Sequence, residues 1–292
     1  MPCGAIAGAR IATTDGNSHV ELKATRFEVH GHVASVWLHR PQRHNAWTGR
    51  MHTEYRWILA ELEANERVRV VVVTGTPPAF CVGGDSDVLA DHAARGSYDT
   101  GLATDAATPG FGVRPEFDHD FAFHYGLRFP VIAAINGACA GIGLALALFC
   151  DLRFASAAAR LTTAAPKLGL PAEYAMSWTL PRLIGVTRAA DLLLSGRIFT
   201  PAETADWGLW NGVEADGART LDTALRYADM LATSAGPNAV RATKTQLYAD
   251  LLRHDVGASI IDSRRLMNDA MNTDEYREGV AALRERRPPY FA

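Results

Sequence analysis

The chain carries almost no charge imbalance: 29 lysines and arginines against 32 aspartates and glutamates leave a net charge of −3 over 292 residues. That removes the electrostatic case for nucleic acid or an anionic membrane surface as a partner. Cysteine is scarce as well. Cys3, Cys81, Cys139 and Cys150 lie far apart with no CxxC pair, so the sequence offers neither a zinc pattern nor a disulfide framework. Three of them sit in apolar runs and read as reduced core residues. Long hydrophobic runs are missing. The longest, Ala138 to Cys150, is too short for a bilayer core about 30 Å thick and suits a buried helix. No charged start followed by an apolar stretch opens the chain. Residues 1–22 read as a mobile leader, and the cytoplasm is the default location. There is no low-complexity segment and no fixed-period repeat. Apolar residues at 48% and charged residues at 21% are those of an ordinary soluble protein, long enough to bury a large core.

Strand and helix signals alternate through the first two thirds. Arg26 to His39 predicts two strands turned at Gly31. Thr48 is placed to cap a helix whose apolar stripe is Met51, Tyr55, Ile58, Leu59 and Leu62. VRVVVVTG, a β-branched run, suits a strand covered on both faces. The region 91–117, rich in Gly, Pro, Asp and Thr, predicts a long loop with short helical pieces beside a site. Phe129 to Ile135 and Asp151 to Ser156 read as further strands, Thr187 to Leu194 as a short helix closed by Gly196. TPAE at 200–203 has the pattern of a capping box with proline at the first helical position. Amphipathic helices are predicted at 218–234, 237–253, 255–270 and 274–286.

Two segments carry the chemistry. AFCVGGD (Ala79 to Asp85) and VIAAINGACAGIGLALALFCD (Val131 to Asp151) each join an apolar strand to a helix start through glycines. The first turn of a helix leaves backbone N–H groups without acceptors. Two such junctions facing one another would receive a developing oxyanion, which suits chemistry beside a carbonyl or thioester. Alone, each glycine group also serves as nothing more than a tight turn.

With HRPQRHNA before these segments, and KLGLPAEYAMSWTLPRLIG, LLLSGRIFTPAETADWGLWN and EGVAALRERRPPYF after them, in that order, the sequence resembles the crotonase, or enoyl-CoA hydratase/isomerase, superfamily over Arg26 to Phe291. The resemblance implies an α/β fold: a spiral of ββα units over about 23–215 holding an acyl-CoA site, with a helical C-terminal region, 216–292, that packs in trimers or hexamers. It assigns the two oxyanion N–H groups to Gly84 and Ile142, with Gly141 at the second junction. It puts CoA on the RPQRHNA loop and on Val82, Ser86 and Asp87. Arg43 then either meets a phosphate or is a solvated surface arginine, and Asp85 either joins the site or only caps the next helix. The implied partner is an acyl-CoA substrate; CoA arrives with it, and no metal or other cofactor is called for.

The departure from the family lies in the carboxylates. Its hydratases use two glutamates to hold and activate water, since hydration needs a proton donor and an acceptor at one carbon pair. The matching positions here are Ala145 and Ala165. One acid remains nearby, Glu173 in GLPAEYAMSW, where double-bond isomerases of the family carry an aspartate. Beside Tyr174, Met176 and Trp178 its pKa is expected to rise by desolvation, which suits a proton shuttle; its alternative is a surface or capping glutamate. His119, His124 and Tyr125 precede the second junction and read as solvent-facing or core residues, with reach into the acyl pocket as the alternative. Asp151 reads as holding a turn, Trp178 and Trp207 as core. Lys244 reads as a helix-face residue with a phosphate contact as the alternative. Ser177 lacks a nucleophile-elbow context.

Overall fold

The computed structural model describes residues 21–95 and 115–291. The predicted leader falls outside the described residues apart from its last two positions, as does Cys3, and so does most of the loop predicted at 91–117.

Strands β1 (Thr25–His30) and β2 (Val33–Leu38) form an antiparallel hairpin turned at Gly31. Glu54, buried, fixes its start by accepting from the backbone N–H groups of Lys23, Ala24 and Thr25. Helix α1 (Gly49–Ala64) begins where Thr48 Oγ1 accepts from Met51 N at 3.2 Å, and buries the predicted stripe from Met51 to Leu62. Strand β3 (Val70–Gly75) is buried at every position, as its β-branched run requires.

The chain then repeats one path. A strand of a large sheet is followed by a short strand of a second sheet and then a helix: β3, β4 (Ala79–Cys81) and α2 (Ser86–Arg95); then β5 (Val131–Ile135), β6 (Ala138–Ala140) and α3 (Ile142–Phe149). The third turn is β7 (Leu152–Ser156), β8 (Leu161–Thr162) and α4 (Met176–Ile184), with α5 (Val186–Ser195) behind it. Strand β9 (Gly212–Glu214) completes a six-stranded sheet of order β1-β2-β3-β5-β7-β9, parallel from β2 onward, beside a parallel sheet of order β4-β6-β8. This is the expected spiral of ββα units.

One face of the large sheet is covered by α6 (Gly217–Ser234), whose Ala224, Ala228 and Ala232 lie against Val70, Val72, Ile132, Ala134 and Phe154. Alanines four residues apart let the helix come close to the strands. The main core fills the other face and takes in α1, α3, Phe80, Phe123 and the three buried free cysteines Cys81, Cys139 and Cys150. Helices α7 (Pro237–Asp250), α8 (Val256–Ala270) and α9 (Asp274–Glu285) follow. Helix α7 is held to the core through Asp151. Its Lys244 Nζ donates to Asp151 Oδ2 at 2.7 Å and to the Phe129 carbonyl at 2.8 Å, and Tyr248 donates to Asp151 Oδ1 at 2.6 Å.

Three expectations are corrected. Lys244 is neither on a solvent-facing helix surface nor at a phosphate, but buried in that ion pair. TPAE forms its capping bond, Glu203 N to Thr200 Oγ1 at 3.2 Å, yet only turns and a short 3-10 segment, Ala205–Trp207, follow. Gly208 in the left-handed region ends that segment before a second helical turn forms. Helix α2 runs to Arg95, past the start expected for the loop, because VLADHAAR keeps good helix formers.

Candidate functional site

The two glycine junctions lie against one another. Gly141 has φ +48° and ψ −120°, a conformation that a side chain would strain, and a Cβ there would sit 3.9 Å from Gly83 Cα. A Cβ on Gly143 would lie 2.7 Å from Cys81 Cβ, so glycine is what allows the first turn of α3 to rest on β4. Around this contact is a cleft of about 120 Å³. Val82, Gly84, Gly141, Ile142 and Glu173 all line it, together with Trp47, Leu89, Ala164, Leu168 and Tyr174. A wider groove of about 240 Å³ lies between α7 and α8, where Asp250 and Asp262 are paired with Arg253; it holds none of the predicted residues.

The backbone at both junctions has donors to spare. Trp47 N donates to Gly83 O at 2.8 Å and Asp85 N to Trp47 O at 2.9 Å, which leaves the N–H of Gly84 between them without an acceptor among the described residues. At α3, Ala145 N takes Gly141 O at 3.0 Å, and the N–H of Ile142 likewise has no acceptor there.

The RPQRHNA loop is fixed to the first junction by side chains. Asn45, fully buried, donates to the Thr76 and Ala79 carbonyls at 2.8 and 2.7 Å. Asp85 is 2% exposed. Arg40 Nη1 donates to its Oδ2 at 2.8 Å, and Arg43 Nη2 to its Oδ1 at 2.9 Å. Burial works against ionisation of Asp85, but the hydrogen bonds from Arg43 and Arg40 prevail and bring its pKa down to about 2. Asp85 also caps α2, accepting from Asp87 N at 3.0 Å, as its capping alternative expected. Arg43 further donates to Asp87 at 2.9 Å and to Ser86 Oγ at 3.3 Å. Arg43, Ser86 and Asp87 thus form one cluster outside the cleft lining, which Val82 alone of these CoA candidates reaches, and Arg43 is already engaged by carboxylates.

Glu173 is half-buried and, among the described residues, is the one carboxylate lining the cleft. Desolvation raises its pKa above the ordinary glutamate value, and no donor to its carboxylate is found among the described residues. The two residues after it, Tyr174 and Ala175, have φ of +47° and +53°. Such non-glycine residues persist only where the surroundings hold them, here including Phe121, whose ring centroid is 5.7 Å from that of Tyr174. Ala145 and Ala165 are fully buried and do not line the cleft.

The remaining candidates lie elsewhere. His124 accepts or donates to Tyr55 Oη at 2.9 Å in the core, its pKa lowered to about 3 by burial and then by Lys244. Tyr125 stacks on Tyr248, and His119 and Ser177 are exposed. Trp178 and Trp207 are partly buried against the core under Arg182 and Arg188. Sequence reasoning missed Trp47 and Leu89 and reached Arg40 only as the first residue of the RPQRHNA loop; the place of Trp47 directly after that loop was its one pointer. Among the described residues no group of three or more His, Cys, Asp and Glu could hold a metal ion, and no helix is long and apolar enough to cross a membrane.

The fold is thus a two-sheet spiral whose paired glycine junctions open on one cleft. The family description "Enoyl-CoA hydratase/isomerase" matches residues 28–292, and the chain belongs to that family of enzymes. It is 33% identical over 265 residues to a mevalonyl-coenzyme A hydratase of Beauveria bassiana, covering 89% of this chain and 91% of that protein. It is 32% identical over 260 residues to the 1,2-epoxyphenylacetyl-CoA isomerase of Escherichia coli, covering 89% and 94%. The crystal structure of a probable enoyl-CoA hydratase/isomerase from Mycobacterium abscessus superposes with a TM-score of 0.79 at 31% identity, covering 92% of this chain and 98% of that one.

Proposed function

We propose that the protein isomerises a double bond in an acyl-CoA thioester, with Glu173 as the proton carrier and the N–H groups of Gly84 and Ile142 as the oxyanion hole. The ionised Glu173 removes a proton from the carbon between the thioester and a 3,4 double bond. The electron pair moves onto the thioester oxygen, which the two N–H groups stabilise as it gains charge. Glu173 then returns the proton at the far end of the conjugated system, and the double bond re-forms next to the carbonyl. Atoms and electrons balance within the substrate, so the reaction calls for no oxidant, reductant or metal, and CoA enters and leaves with the acyl group.

The observation that carries this reading is that Glu173 is the single carboxylate lining the cleft among the described residues. Hydration by two acids needs a second one, and both family positions are alanine. Val82 and the cluster of Arg43, Ser86 and Asp87 are assigned to CoA; Arg43 would release Asp87 to meet a phosphate while keeping Asp85. Helix α8 buries no residue within one chain and exposes Val256, Ile260, Ile261 and Met267, which supports assembly as a trimer or a dimer of trimers. Buried free thiols fit a cytoplasmic location.

The test is spectrophotometric turnover of 3-enoyl-, 2-enoyl- and dienoyl-CoA by wild type and Glu173→Gln, with calorimetric acyl-CoA binding alongside. Isomerase turnover lost in Glu173→Gln with binding kept is the expected result. Unchanged turnover removes Glu173 from the mechanism. Binding with no turnover on any substrate identifies a thioester-binding protein instead, and turnover confined to hydration of 2-enoyl-CoA identifies an atypical hydratase.

A further inference from the structure

Non-glycine residues at positive φ gather about the cleft. His44 and Asn45 lead into Trp47, Ala164 and Tyr174 line the cleft, and Ala175 follows Tyr174. A sixth, Phe121, stands behind the wall, wholly buried, with φ +59° and ψ −28°. A bulky side chain in that region is an outlier that its surroundings must hold, and such strain collects at functional sites. The ring of Phe121 lies 5.5 Å from that of Trp47 and 5.7 Å from that of Tyr174. Each partner adjoins a group of the proposed reaction. Trp47 N donates to the Gly83 carbonyl at 2.8 Å and Asp85 N to the Trp47 carbonyl at 2.9 Å, so the Trp47 backbone holds Gly84 from both sides. Tyr174 directly follows Glu173, and residues 167–171 before them are exposed. The Glu173 carbonyl accepts from Met176 N at 3.0 Å, which fixes the local turn but not its distance from Gly84. The rings of Trp47, Phe121 and Tyr174 bridge that distance. Phe121 is itself anchored on α1: its ring is 5.7 Å from that of His52, and the adjacent Asp120 faces His52 Nε2 at 3.4 Å.

We propose that Phe121 is a positioning residue that sets the spacing between Glu173 and the Gly84 N–H, acting through Tyr174 and Trp47 without touching the substrate. The inference rests on the roles given to Glu173 and Gly84 above. Leucine at 121 would keep the backbone strain but leave Tyr174 room to tilt, and Glu173 would move with it. A misplacement of about 1 Å at reacting groups costs on the order of 100-fold in rate. Water admitted to the carboxylate would also lessen the desolvation that raises its pKa.

The test compares Phe121→Leu, Tyr174→Leu and the double variant. Phe123→Leu is the control, a buried ring that meets Phe121 and His124. The readouts are kcat for 3-enoyl-CoA isomerisation, the acid limb of the kcat/KM profile, and hexanoyl-CoA binding by calorimetry. Phe121→Leu is expected to lose about tenfold or more in kcat while binding stays within about threefold. Its acid limb should fall toward the ordinary glutamate pKa. Phe123→Leu should leave kcat within about threefold and the limb in place, because lost core packing alone moves neither. The double variant should lose no more than the worse single one, since both remove the same contact. In Phe121→Leu, a kcat within about threefold of wild type or an unmoved limb overturns the proposal. So do losses that multiply in the double variant, or an equal fall in Phe123→Leu. Where Phe121→Leu does not fold, Tyr174→Leu at its half-buried position decides: a lowered limb with reduced kcat supports the proposal, and wild-type values overturn it. Undiminished turnover by Glu173→Gln is the separate result that removes the parent reading, and this proposal with it.

Discussion

Gly143→Ala tests whether the packing of α3 on β4 sets the chemistry. An added Cβ would lie 2.5 Å from the Cys81 carbonyl oxygen, 2.7 Å from Cys81 Cβ and 2.9 Å from its Sγ. Relief to ordinary van der Waals contact needs the first turn of α3 to move by about 0.9 Å. Ile142 belongs to that turn. A hydrogen bond of about 2.9 Å stretched by this amount is no longer one, and loss of one oxyanion donor costs about 3 kcal/mol, on the order of 100-fold in kcat. Overpacking should take a further 1–3 kcal/mol or so from stability. The assay is kcat for 3-enoyl-CoA isomerisation beside hexanoyl-CoA binding and urea unfolding. Cys81→Ala in the same background is the control. It removes Sγ but leaves the carbonyl oxygen and Cβ that make the closest contacts, so it should restore little activity. A folded Gly143→Ala protein with kcat within about threefold of wild type would refute the link between this contact and turnover.

Further outcomes follow from the same geometry. Desolvation raises the pKa of Glu173 and the proposed reaction needs it ionised, so the acid limb of the kcat/KM profile should lie above the ordinary glutamate pKa; a limb at or below that value contradicts the assignment. Asp85, with a pKa of about 2 against an ordinary 3.8, contributes stability that is complete above about pH 4 and lost as pH falls through 2. Asp85→Asn should therefore cost roughly 2 kcal/mol in urea unfolding at pH 7, with the gap to wild type closing as pH falls toward 2. Lys244→Met leaves the mostly buried Asp151 without its cation and should destabilise by about 3–5 kcal/mol, read by urea unfolding at pH 7.

The sequence disclosed most where local chemistry forces the structure. The β-branched run before Thr74, the Thr48 cap and the glycine junctions each permit few backbone outcomes, and each was found where the pattern put it. It disclosed less where a side chain's role depends on distant partners. Nothing near Lys244 indicates that Asp151, 93 positions away, will bury it. Arg43 looked free in sequence because Asp85, its acceptor, is 42 positions on. TPAE misled because capping is a local signal, whereas helix continuation depends on what the following residues pack against. For the cleft, the motif residues Gly84, Gly141, Ile142 and Glu173 could be read beforehand. Trp47 could not, since which side chains wall a cleft is decided by surroundings that only the folded chain supplies.

The alanines at 145 and 165 bear on how such a protein can change. Both methyl groups are wholly enclosed, so a glutamate placed at either would bring four more heavy atoms and an unmatched negative charge into space already filled. Two-acid hydration at these positions would thus require the surrounding backbone to shift before either carboxylate became tolerable. Across single-residue steps this enclosure works as a barrier, and a second acid would have to arrive together with changes in the side chains around it.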